Sequence, residues 1–192
     1  YTTLFRSGHR SRVGKDTCAN LLKGQLRLAT KNKRIEKASL AWSLKLACFE
    51  IYGWAGLQRP EYYDHPDTEH FRDVVLEPIG LTPVQLWIEF GNKIREIYPD
   101  TWINYLLNRY ASIDVLIVPD VRFDNEIDKI TLAGGLVYRV LNSRAIIRNS
   151  VSDNALQGSN KFFADIHNEG EIGDLYKILN DTVLPAVLER LK

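Results

Sequence analysis

The residues Val115-Leu116-Ile117-Val118 form an unbroken apolar run between Asp114 and Pro119. A strand with one wet face alternates polar and apolar side chains, whereas a run apolar at every position has to be covered on both faces. That demand points to a sheet enclosed by other elements. Further strand-like stretches lie at Tyr1–Ser7, Arg34–Ala41, Leu136–Leu141 and Phe162–Asn168. Segments with apolar residues at helical spacing separate them: Lys15–Ala29 (Leu21, Leu22, Leu26, Leu28), Trp42–Trp54, Thr82–Tyr98, Pro99–Ala111 and Asn125–Leu132. A last helix, Ile172–Leu191, is bent near Pro185. Thr82 and Pro83 read as the cap and first residue of their helix. Strand and helix alternate from end to end, which predicts an α/β fold, a parallel sheet covered by helices on both faces, with ligands at the carboxyl ends of the strands.

A length of 192 residues suits one domain with a full core, and 45% apolar with 26% charged residues is an ordinary globular composition. A net charge of +1 gives no reason to expect a nucleic acid polymer or an anionic membrane as partner. No apolar run reaches membrane-spanning length, and no signal peptide is evident. Cys18 and Cys48 fall in predicted helices, which favours free thiols in a reducing cytoplasm over a disulfide. With no Met in the sequence, the expectation is that the initiator, with a residue or two, precedes Tyr1. Two irregular stretches, 55–80 and 142–160, are long for a compact domain and are candidates for function.

The sequence Gly8-His-Arg-Ser-Arg-Val-Gly-Lys-Asp-Thr-Cys18 joins the first strand to the first helix. Glycines there let backbone N–H groups turn toward phosphate oxygens, and a lysine beside a helix amino end adds charge. Five residues separate Gly8 from Gly14, one more than the usual phosphate loop. Lys15 is in the expected place. Asp16 stands where a Mg²⁺-ligating hydroxyl is usual, and a carboxylate can hold the ion directly or through water. Gly8, Arg10, Arg12, Val13, Gly14, Lys15, Asp16, Thr17 and Cys18 are the candidate triphosphate contacts. Asp16, Thr17 and Asp120 are the candidate metal ligands. Asp120 follows the Val115–Val118 run, where it resembles the acid that organises Mg²⁺ opposite a phosphate loop. Arg122 lies two residues on, and Glu126 about one helical turn later.

In this order the chain resembles the bacteriophage-type deoxynucleoside monophosphate kinases, within the P-loop nucleoside monophosphate kinase group. The matching pieces are Gly14–Thr17, Ala38–Trp54, Thr82–Asn104, Pro119–Asp128 with Ala133–Val140, and His167–Tyr176. The resemblance implies a P-loop NTPase fold over 1–192, with an acceptor-binding helical insertion at about 55–112 and a lid at about 142–160. It implies transfer of the ATP γ-phosphate to deoxynucleoside 5′-monophosphates, with Mg²⁺. By position, Lys15, Asp16 and Thr17 serve the ATP phosphates and metal. Asp120 and Arg122 serve metal and phosphate, with Glu126 supporting them. Trp102 matches the aromatic that stacks on the substrate base. Gly91 and Asn92 fall where the family has Gly-Thr near the acceptor, and Ile88 where Gln is common. Ser39 and Trp87 belong to the same acceptor side.

Several other residues have two readings. Arg95 either clamps the acceptor phosphate or complements a helix end, and Lys45 is similar. Arg144 and Arg148 are either lid arginines closing over the transferring phosphate or members of a plain loop. Core packing is the default for Trp42, Trp54, Trp87 and Trp102. His65, His70 and His167 have no zinc-ligand spacing. The rival functions are a P-loop kinase for another small acceptor and a non-catalytic nucleotide-binding regulator. A guanine-specific Asn-Lys-x-Asp motif, expected of a GTPase switch, is absent from the sequence. A homodimer remains open.

Overall fold

The structure, a computed structural model, describes residues 2–7, 10–11, 13–144, 146–147, 156 and 159–192. They form two compact units, one of residues 1–39 and 107–192, the other Leu40–Leu106.

The first unit is built on a parallel sheet of β1 (Thr2–Ser7), β3 (Ile35–Lys37), β4 (Val115–Val118), β5 (Leu136–Leu141) and β7 (Ala164–His167), in the order β3-β4-β1-β5-β7. Leu4 of β1 pairs with Val118 and with Val137, so β1 is central. Lys37 of β3 pairs with Ile117, and Leu141 with His167. A separate ribbon pairs β2 (Arg10–Ser11) antiparallel with β6 (Ile146–Ile147). All four residues of β4 are buried, as its composition requires.

The helices of this unit are α1 (Lys15–Ala29), α6 (Asp124–Leu132), α7 (Ile172–Ile178) and α8 (Leu184–Arg190). Cys18, Ala19, Leu22 and Leu26 of α1 share one core with Val115, Ile117, Tyr138 and Ile166 of the sheet, and with Leu175, Leu179, Val183 and Val187 near the carboxyl end of the chain. Each large aliphatic side chain buried there contributes about 1.5–3 kcal/mol. Strand alternation turns Leu116, Val118 and Val137 the other way, and they too are buried. The α6 helix packs on β5 and buries Ile127 and Ile130, which lie outside the first cluster. The last helix of the sequence reading is two helices joined by a π-helical turn, Leu179–Val183. Pro185 has no N–H for the carbonyl four residues back, and the helix widens just before it.

The second unit is helical: α2 (Leu40–Tyr52), α3 (Pro60–Asp64), α4 (Pro83–Ile97) and the start of α5 (Thr101–Arg109). Short 3₁₀ turns lie at Gly53–Ala55 and Glu69–Asp73; the stretch 55–80, which reads from sequence as loop with one short helix, holds α3 and the second of these turns. Thr82 caps α4: its hydroxyl accepts from the Gln85 N–H at 3.2 Å, and the Gln85 side chain accepts from the Thr82 N–H at 2.9 Å. Gly91 sits on the buried side of α4, where a Cβ would come within 2.5 Å of Leu44 of α2. Its lack of a side chain is what lets these two helices approach.

The expected strand Arg34–Ala41 stops at Lys37, and Leu40 already opens α2. Among the tryptophans, Trp87 and Trp102 are buried, but Trp54 is 72% exposed. Ile51, one turn earlier in α2, is already 53% exposed, so the buried stripe of that helix ends before it reaches Trp54.

Cys18 and Cys48 are free and fully buried, and burial pushes both thiols up to about 12. Both should resist a disulfide-exchange reagent in native protein at about pH 8 and both should react once the chain is unfolded. Fast labelling of either thiol in the native state would contradict that packing.

Candidate functional site at the carboxyl end of the sheet

The carboxyl ends of β1, β3, β4, β5 and β7 bring together most of the residues singled out in the first unit. Gly14 stands immediately before α1 with φ +93°, and no side chain caps the helix. The first N–H groups of an α-helix have no partner within it. Here these are the N–H groups of Gly14 to Thr17; the first intrahelical bond runs from the Cys18 N–H to the Gly14 carbonyl at 2.8 Å. Lys15, Asp16 and Thr17 occupy the first turn. Val13 and Cys18 are core residues, so their side chains face the sheet and only their backbones border the turn.

Asp16 is a bridge. One carboxylate oxygen is 3.7 Å from Lys15 Nζ, the other 3.6 Å from Lys37 Nζ. The Asp16 side chain is 62% exposed and that of Lys15 25%, so the bridge lies where solvent or a ligand reaches it. Exposed pairs of this kind are worth at most about 1 kcal/mol, and a polyanion can displace them.

Lys37 is the last residue of β3, and two residues on the Ser39 hydroxyl donates to Asp120 Oδ2 at 2.7 Å. Asp120 is nearly buried, at 9% exposure. Glu126 is 2% exposed and turned inward. Its Oε2 accepts from the backbone N–H of Arg122 at 2.7 Å and of Phe123 at 3.1 Å. It therefore holds the turn that carries Asp120 and Arg122. Glu126→Ala leaves those two N–H groups without this acceptor, and the unfolding free energy should fall by about 2–3 kcal/mol in a denaturant titration.

On the other side of β1, Asn168 follows β7 and its Nδ2 donates to the Val13 carbonyl at 2.8 Å. A Cβ on Gly14 would collide with that same carboxamide. The Asn168 N–H donates to Leu141 O at 2.8 Å, and its carbonyl accepts from Asn142 Nδ2 at 2.6 Å. Arg144 is exposed, and its guanidinium donates to the Glu169 carbonyl. Ser143 donates twice to the Glu169 carboxylate, at 2.8 Å from its N–H and 2.6 Å from its hydroxyl, and these bonds hold that carboxyl below its usual range.

Lys37 and Asn168 were not reached from sequence. Asn168 lies inside the matched stretch His167–Tyr176, but nothing local marks it. Its partner Val13 is 155 positions away. Gly8, Arg12 and Arg148 lie outside the described residues, and of Arg10 only the backbone pairing is described.

The donor set fits Mg²⁺. That ion is held by one or two carboxylates together with phosphate oxygens and waters, and Asp16 and Asp120 are hard oxygen donors at one end of the sheet. Among the described residues, no three His, Cys, Asp or Glu side chains come together as a protein-only metal cage.

The remaining predicted residues lie in the second unit. Lys45 Nζ sits 4.6 Å from the Trp87 ring centroid and 3.6 Å from Asp64. Tyr63 packs edge-on against Trp87 at 5.1 Å, and the buried Trp87 Nε1 has no hydrogen-bond partner among the described residues. Arg95 folds back along α4 toward Gly91, and Asn92 is exposed. Trp102 is 6% exposed, packs against Phe90 at 6.1 Å and donates to the Gly91 carbonyl at 3.4 Å. Among the described residues, no helix is long and apolar enough to cross a membrane.

No protein-family model matches the sequence, and no curated protein matches it significantly.

Proposed function

We propose that the chain is a kinase that transfers the γ-phosphate of ATP to a deoxynucleoside 5′-monophosphate, releasing ADP and the deoxynucleoside diphosphate. The observation that carries the phosphate half of this reading is the uncapped, glycine-opened start of α1, with Asp16 bridging Lys15 and Lys37 and with Asp120 held by Ser39 at the same sheet end. The strand order adds support, because β1 lies where the connections diverge toward β3 and β5, and ligands of open α/β sheets bind at such points. This is the arrangement expected of a P-loop NTPase fold.

In the proposed reaction, backbone N–H groups of the Gly14 turn and the Lys15 ammonium bind β- and γ-phosphate oxygens. A phosphate oxygen of the acceptor forms the new bond to the γ-phosphorus, and the bond from that phosphorus to the bridging oxygen of ADP breaks. Little covalent chemistry is asked of the protein; alignment and charge neutralisation do most of the work. Asp16 and Asp120, with Thr17, would hold Mg²⁺, which neutralises phosphate charge when bound. Lys37 is freed from Asp16 and meets the phosphates. Arg122 meets the transferring group from the tip of β4, and Arg144 and Arg148 close over it.

The nucleotide acceptor rests on the resemblance of Ala38–Trp54 and Thr82–Asn104, with Lys45, Trp87, Gly91, Asn92, Arg95 and Trp102 on the acceptor side. One observation favours a second reading, a P-loop kinase for another small acceptor: the Trp102 ring assigned to the base is packed among core residues. A coupled assay with ATP and Mg²⁺ across dAMP, dCMP, dGMP, dTMP and the ribonucleotides, with products identified by mass, separates the two. Phosphorylation of at least one deoxynucleotide is the expected result. ATP turnover only with an unrelated acceptor would overturn the substrate assignment.

A further inference from the structure

We propose that Asn168 is a positioning residue for the phosphate-binding turn, aiming the Gly14 N–H at the ATP phosphates by holding the Val13 carbonyl on the opposite side. This rests on the kinase reading and extends it to a residue far from the loop in sequence.

A trans peptide unit carries its C=O and N–H on opposite edges. The Val13 carbonyl is engaged by Asn168 Nδ2 at 2.8 Å, so the N–H of the same peptide unit, that of Gly14, points away from Asn168. A carbonyl can only accept, so the facing atom of the carboxamide has to be its nitrogen. Asn168 is itself fixed at two further points, its N–H on Leu141 O and its carbonyl on Asn142 Nδ2. The clamp therefore hangs on the ends of β5 and β7 rather than on the turn it holds. Gly14 accommodates it for two reasons: its φ of +93° suits glycine, and a side chain there would displace the carboxamide. A donor set fixed before the ligand arrives binds with less ordering cost.

Asn168→Asp keeps the shape, removes the donor and sets a carboxylate against a carbonyl. Asn168→Ala removes the donor without adding charge. With ATP, Mg²⁺ and the best deoxynucleotide acceptor at about pH 8, Asn168→Asp should raise KM for ATP roughly 10- to 100-fold and Asn168→Ala roughly 5- to 20-fold. KM for the acceptor should stay within about twofold. Wild-type protein that neither binds nor turns over ATP would defeat the kinase reading itself. An active wild type, with both variants equal to it or with both KM values raised together, would defeat the positioning role alone.

Discussion

Lys15→Ala should abolish phosphoryl transfer while leaving the protein as stable as before. The lysine lies in the first turn of α1, its side chain a quarter exposed and its ion pair with Asp16 solvent-facing. Alanine is the best helix former, and loss of a weak exposed pair costs at most about 1 kcal/mol. The melting temperature should therefore hardly move. Catalysis should suffer far more, because a single preorganised charge on a transferring phosphoryl group is worth roughly 10²- to 10⁴-fold. Comparison of turnover with a thermal melt on the same sample checks both halves. If Lys15→Ala keeps more than about a tenth of wild-type turnover, Lys15 is not the residue that meets the phosphates.

Gly14→Ala should damage both stability and nucleotide binding. The left-handed backbone at φ +93° costs a residue with a Cβ about 1–2 kcal/mol. The new methyl group also meets the Asn168 carboxamide, which has to move and release the Val13 carbonyl. The unfolding free energy should drop by about 2–3 kcal/mol, and ATP affinity by at least tenfold. Gly24 offers a control: it lies within α1, nothing stands within 4 Å of a Cβ there, and Gly24→Ala should stabilise the helix by up to about 1 kcal/mol. Equal behaviour of the two variants would remove the special conformation from the account.

The sequence carried the elements whose signals are local. The Val115–Val118 run announced a strand buried on both faces, Thr82-Pro83 announced the start of α4, and Gly14-Lys15 announced a strand-to-helix turn. Each is decided by residues within a few positions of one another. What stayed hidden depends on partners far apart in the chain. Lys37 looked like an ordinary strand residue until β3 was set beside the start of α1, where it meets Asp16. Asn168 acquires meaning only when the end of β7 is set beside the start of α1. Glu126 was read as support for Asp120 and Arg122, and the structure gives the means, two backbone N–H groups on one carboxylate oxygen. Trp54 was misjudged because the helical spacing continues past the point where α2 stops being covered, Ile51 already being exposed. Gly91 has a local reason to be glycine in the packing of α2 on α4, whatever it also contributes to an acceptor.

The most direct test of the phosphate site is an amide NMR titration of wild-type protein with ATP and Mg²⁺. The account predicts that the largest shifts fall on Gly14 through Thr17, with smaller ones at Lys37, Ser39 and Asp120 and at Asn168. Saturable ATP binding that leaves those amides unmoved and shifts a different part of the chain, or no binding at millimolar ATP, would contradict it.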